Sequence, residues 1–115
     1  MSQESPLFAK TFDLVVYLFR VTDDFPRSRR AVLGRRIQES SLRLLDLLLE
    51  ARKGPTDQRA GLLAEADLEL DRLRYSVRLC QEIDLLSRKQ GVHAAALLGE
   101  CGRLLGAWVK RYNQA

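Results

Sequence analysis

A chain of 115 residues has room for one hydrophobic core and not two, and 46% hydrophobic with 30% charged residues marks it as globular rather than disordered. Its formal charge of +4 suits an acidic polymer as partner without requiring one. No apolar run approaches the roughly 18–20 residues of a membrane span, and Met1-Ser-Gln-Glu-Ser-Pro lacks the basic-then-apolar layout of a secretion signal, so a cytoplasmic protein is expected.

Leu and Arg are abundant and β-branched residues scarce, which favours helix. The first helix is expected from about Pro6 to Thr22, with Ser5 as N-cap. Phe8, Phe12, Val15 and Phe19 keep a three-to-four spacing, flanked by Leu14, Leu18 and Val21. Asp23-Asp24-Phe25-Pro26 then breaks the pattern, because the residue before a proline is pushed out of helical geometry. A second helix is expected from Arg27 or Ser28 to Lys53. Its stripe is Leu33, Ile37, Ser40, Leu44, Leu48 and Ala51, widened by Val32, Ser41 and Leu45, and Gly54-Pro55 stops it.

The third helix is expected from about Asp57 to Lys89, with Gly91 ending it. Ala66, Leu70, Leu73, Val77 and Cys80 form one stripe, and Leu68, Tyr75, Leu79, Ile83 and Leu86 a second beside it. The fourth, about Val92 to Tyr112, carries Leu97, Leu98, Cys101, Leu104, Leu105, Trp108, Val109 and Tyr112. Short connections make sequential helices antiparallel, so the expected architecture is all-α, an up-down four-helix bundle forming a single domain over residues 1–115. Cys80 and Cys101 sit on apolar positions outside any C-x-x-C pattern and read as buried, reduced thiols.

Helix three is more apolar than an isolated bundle needs, and helix four adds a line of Ala95, Gly99, Gly102 and Gly106. Glycine inside a helix costs about 0.5–1 kcal/mol against alanine, so something packs closely there. The line reads either as close packing within the bundle or as a subunit interface of helices three and four.

Catalysis finds little support. His93 is the one histidine and cannot build a multi-residue metal site. Glu65, Asp67, Glu69 and Asp71 alternate along helix three and so spread around it as a solvated face. Neither a Gly-rich phosphate loop nor a Glu-x-x-His motif occurs, and Ser40 and Ser41 lack a base. No cofactor is expected.

The basic residues say more. Arg27, Arg29, Arg30, Arg35 and Arg36 crowd the start of helix two, the unfavourable end of the dipole for positive charge. Arg74 and Arg78 share one face of helix three, and Lys110 and Arg111 close helix four with no acid after Glu100. Guanidinium forks match phosphate and carboxylate, so these residues are candidate contacts to nucleic acid. A solvated surface with ion pairs, for instance Asp71 or Glu82 with Arg74 or Arg78, explains the same residues without function.

Three segments carry a resemblance: Phe25-Pro26-Arg27, Leu73-Arg74-Tyr75-Ser76-Val77-Arg78, and Gly102-Arg103-Leu104-Leu105-Gly106-Ala107-Trp108-Val109-Lys110-Arg111. Over nearly its whole length the chain resembles the accessory variability determinant (Avd) proteins of diversity-generating retroelements. It is also similar to the related four-helix-bundle proteins encoded by intervening sequences of bacterial 23S rRNA genes. The Gly-x-x-x-Gly-x-Trp ending is the most specific segment and favours the retroelement branch. The resemblance implies a non-catalytic homopentameric barrel that associates with the retroelement's reverse transcriptase and with template RNA or its cDNA. It further implies that Arg74 and Arg78 are the family's paired arginines in those associations. Between them stand Tyr75 and Ser76, where a bulkier, more aromatic pair is implied. The helix-two arginines match no family motif. The alternative function is a structural or protein-interaction bundle of the intervening-sequence type, without nucleic-acid binding.

Overall fold

A computed structural model describes residues 4–114, with side chains for 6–113. It is an all-α bundle of 46 × 23 × 20 Å. Helix α1 spans Glu4–Asp23, and α2 covers 27–53. After a single 3₁₀ turn, Thr56–Gln58, α3 runs over Arg59–Glu82, and α4 over Arg88–Gln114. Helix α1 packs on α2 and α4, and α3 on the same two from the other side, which closes the square expected for an up-down bundle.

Helix α1 already includes Glu4, so Ser5 lies within the helix and is not its N-cap. The buried line of α1 is Leu7, Thr11, Leu14, Leu18 and Val21, with Thr22 and, from the expected stripe, Val15 beside it, whereas Phe12 is 58% exposed and Phe8 and Phe19 lie on the flanks. Threonines hid that line from a hydrophobic reading. Thr22 can be buried because its hydroxyl donates to the Leu18 carbonyl at 2.7 Å, and Thr11 lies 3.7 Å from the Cys101 sulfur. Phe8 packs on Trp108 at 6.3 Å between ring centroids, and the Arg52 guanidinium stacks 4.0 Å from its centroid.

The turn at Phe25-Pro26 forms as expected. Phe25 is buried and its N–H donates to the Thr22 carbonyl. Helix α2 is not regular throughout, however. Arg27–Arg29 leads into a π-helical turn, Arg30–Gly34, before the regular segment Arg35–Lys53. Gly34 is buried there against Thr22, a hypothetical Cβ lying 3.6 Å from the threonine Cβ, and Val32 is left 67% exposed instead of widening the core stripe. Beyond it Ile37, Ser41, Leu44, Leu48 and Ala51 face the core.

Helix α3 buries Leu63, Ala66, Leu70, Leu73, Val77 and Cys80. It ends at Glu82, not Lys89. Asp84 adopts a left-handed φ of 63°, the Asp84 N–H donates to the Gln81 carbonyl, and the Leu85 N–H to the Cys80 carbonyl at 2.8 Å. Those two bonds satisfy carbonyls that the last turn would otherwise leave open. Ser87 then starts α4 through a reciprocal cap: the Gln90 N–H donates to the Ser87 hydroxyl, and the Ser87 N–H to the Gln90 side-chain oxygen at 3.0 Å. Gly91 is therefore a buried residue of α4 and ends nothing. Cys80 and Cys101 are buried free thiols, and burial pushes both pKa values up.

Candidate functional site

The outer side of α3 divides into three strips because successive residues rotate by about 100°. Toward α4 stand Arg74 and Arg78. Outermost are Leu68, Tyr75 and Leu79, all exposed, with Tyr75 at 69%. Toward α2 stand Glu69, Arg72 and Ser76.

In the α3–α4 seam, Arg74 donates from Nη1 to Asp71 Oδ1 at 2.8 Å. Its guanidinium reaches across to α4, where a Cβ at Gly102 would overlap Nη2. Arg78, one turn on, is exposed and forms no ion pair among the described residues. Both line a basin of about 310 Å³ with Gln81, floored by Ala95, Leu98 and Gly99. Two guanidinium groups on the rim of a groove whose floor carries only small residues at Gly91, Ala95 and Gly99 beside Val77 and Leu98 can meet a phosphate or carboxylate.

The α2–α3 side holds a charge network that the sequence did not announce. Glu69 is only 4% exposed. It accepts from the Ser40 hydroxyl and from Arg72 Nη1 at 3.0 Å, and Arg43 Nε lies 3.4 Å away. Alternation alone predicts a solvated Glu69, but its side chain meets Ser40 of α2, and the buried charge is compensated by Arg43 and Arg72. Farther along, an apolar groove of about 540 Å³ is bounded by Val32, Leu68, Tyr75 and Leu79, with Arg36 and Arg72 at its edge. Leu68, Tyr75 and Leu79 of the expected second stripe thus open beside α2, whereas Ile83 and Leu86 lie past the end of α3, Ile83 exposed and Leu86 buried.

The remaining arginines of α2 behave differently from one another. Arg27 and Arg29 are exposed and without ion pairs among the described residues. Arg30 donates to the Asp23 carbonyl oxygen at 3.3 Å, Arg35 pairs with Glu39 at 2.9 Å, and Arg36 Nε donates to Ser76 Oγ at 3.3 Å. Through Arg36 this cluster shares an end of the bundle with Arg74 and Arg78. Lys110 and Arg111 lie at the opposite end, where the Tyr112 hydroxyl donates to the Thr56 carbonyl. The sequence had grouped all nine cations; the fold separates these two.

His93 is exposed and packs edge-on against Tyr17 at 4.4 Å between centroids. Among the described residues no cluster of three or more His, Cys, Asp or Glu side chains could hold a metal ion, and no helix is long and apolar enough to cross a membrane.

A family model described as bAvd-like matches residues 7–112. The chain belongs to the bAvd-like family. The resemblance read from the Gly-x-x-x-Gly-x-Trp ending and the paired arginines thus holds over nearly the whole sequence. Among solved structures, this bAvd-like chain is similar to a protein of unknown function from the S23 ribosomal protein family of Bacteroides thetaiotaomicron. That likeness has a TM-score of 0.86 at 16% identity and covers 95% of this chain and 99% of the other. At that identity it speaks for the bundle fold alone. No curated protein matches.

Proposed function

We propose that this bAvd-like chain is a non-catalytic accessory subunit of a diversity-generating retroelement, binding the element's reverse transcriptase and its template RNA or cDNA during mutagenic retrohoming. The observation that carries this reading is the Arg74–Arg78 pair on the rim of the α3–α4 seam, at the spacing that the family resemblance assigns to partner association. Arg74 is partly engaged by Asp71, whereas Arg78 is not, so at least one guanidinium is available without breaking an ion pair.

Subunit contact falls to a different surface in this proposal. Leu68, Tyr75 and Leu79, with Val32 from α2, form an exposed apolar strip of the kind that marks protein–protein contact. A homo-oligomer built on that strip, a pentamer by resemblance, would repeat the +4 charge of each chain around one particle. The seam carrying Arg74 and Arg78 would remain open to partners.

The test is co-purification with the cognate reverse transcriptase, together with binding of template RNA. Arg74→Ala combined with Arg78→Ala should weaken both associations. Full retention of both by the double variant would leave the intervening-sequence alternative, a structural bundle whose arginines serve only its surface.

A further inference from the structure

Helix α4 carries glycines at 91, 99, 102 and 106, and their surroundings are not alike. A Cβ built at Gly99 or Gly106 meets nothing within 4 Å. At Gly91 it would overlap the side-chain amide of Gln81, and at Gly102 the guanidinium of Arg74. Two of the four therefore serve as seats, each receiving a polar side chain from α3, while the other two face open space.

The seat at Gly102 matters more, because Arg74 is held from both sides. Asp71 fixes Nη1 at 2.8 Å from below, and the bare backbone of α4 receives Nη2. A free arginine has many rotamers to lose, so a side chain already laid across the seam loses less on meeting a ligand. Arg74 and Arg78 line the same basin, where both forks can serve one anionic group.

We infer that Gly102 is a positioning residue for Arg74: by lacking a side chain it lets the guanidinium lie across α4, presenting the Arg74–Arg78 pair to a phosphodiester. This rests on the proposed role of those arginines and adds the residue that sets their geometry. Gly102→Ala should not harm folding, since the overlapping atoms are the far end of a flexible side chain and alanine is the better helix former.

The experiment measures binding of fluorescein-labelled oligouridylate by anisotropy across a salt series. The proteins are the full chain and its Gly102→Ala, Arg74→Ala, doubly substituted and Gly106→Ala forms. Arg74→Ala should weaken binding about tenfold and Gly102→Ala about three- to fivefold, the scale of a charged contact wholly or partly lost. Adding Gly102→Ala to Arg74→Ala should change nothing further, because the glycine acts only through the arginine. The slope of log affinity against log salt should fall by about 0.7 with Arg74→Ala, one phosphate contact on a single strand, and by less with Gly102→Ala. Gly106→Ala, which shares the gain in helix propensity without touching Arg74, should bind as the parent does.

Wild-type affinity in Gly102→Ala alongside a weakened Arg74→Ala would overturn the positioning role while sparing the arginine. A Gly102→Ala loss that persists without Arg74 would overturn it too, placing the partner directly on α4. Unchanged binding in Arg74→Ala would remove both this inference and the site beneath it.

Discussion

Replacing Gly99 and Gly106 together by alanine should stabilise the protein and leave the proposed oligomer intact. Both are exposed positions inside α4, and neither has a neighbour within 4 Å of the added methyl. Glycine in a helix interior costs about 0.5–1 kcal/mol relative to alanine, largely through the freedom it has in the unfolded chain. The two sites stand seven residues apart and share no contacts, so the gains should add to about 1–2 kcal/mol. That corresponds to a rise in Tm of roughly 5–10 °C for a domain of this size. Urea unfolding followed by circular dichroism at fixed protein concentration reads the gain as a higher midpoint at unchanged m, and light scattering reads the native mass. A lower midpoint, or a loss of assembled mass, would mean that another subunit presses on this glycine line. The assignment of subunit contact to the α2–α3 strip would then be refuted.

Leu68→Glu with Leu79→Glu should reduce the native mass to the 13.1 kDa chain while helicity persists, because both side chains are about half exposed; an unchanged mass would reject the strip as an interface. Asp84→Gly should raise stability by about 0.5–1 kcal/mol and Asp84→Ala lower it, since glycine alone adopts the left-handed cap without strain; equal urea midpoints would contradict that cap. Cys80 and Cys101 should react with a disulfide reagent in neutral buffer only as the chain unfolds, and rapid labelling of the native protein would count against their burial. Because burial raises both thiol pKa values above 9.0, the native state binds more protons than the unfolded chain once that pH is passed; stability from this source is complete below about pH 9 and lost as the pH climbs toward the raised values.

The bundle was legible because period and punctuation agree. Leu70, Leu73, Val77 and Cys80 on α3, and Leu98, Cys101, Leu105 and Trp108 on α4, are apolar at core spacing and are buried. Pro26 and Gly54-Pro55 mark their turns without rival signals. The errors arise where polar residues take core or cap roles. Thr11 and Thr22 stand in the α1 core and shifted the apparent stripe onto phenylalanines. Asp84 performs a glycine's task at the end of α3, so no glycine stops the helix there, although Ser87 and Gln90 spell a capping box that marks the next helix's start. The π turn before Arg35 has no mark in composition. Within the site, the spacing of Arg74 and Arg78 was plain, but the roles of Gly102 and Glu69 depend on which neighbour each helix turns toward, and one-dimensional periodicity carries no such information.

The salt dependence of RNA affinity, for the parent protein and the Arg74→Ala/Arg78→Ala variant, probes the basic seam most directly. Log affinity should fall linearly with log salt for the parent, and the variant's slope should be smaller in magnitude by about 1.4, two phosphate contacts on a single strand. Identical slopes for the two proteins, or an affinity indifferent to salt, would contradict the claim that these guanidinium groups hold a nucleic-acid backbone.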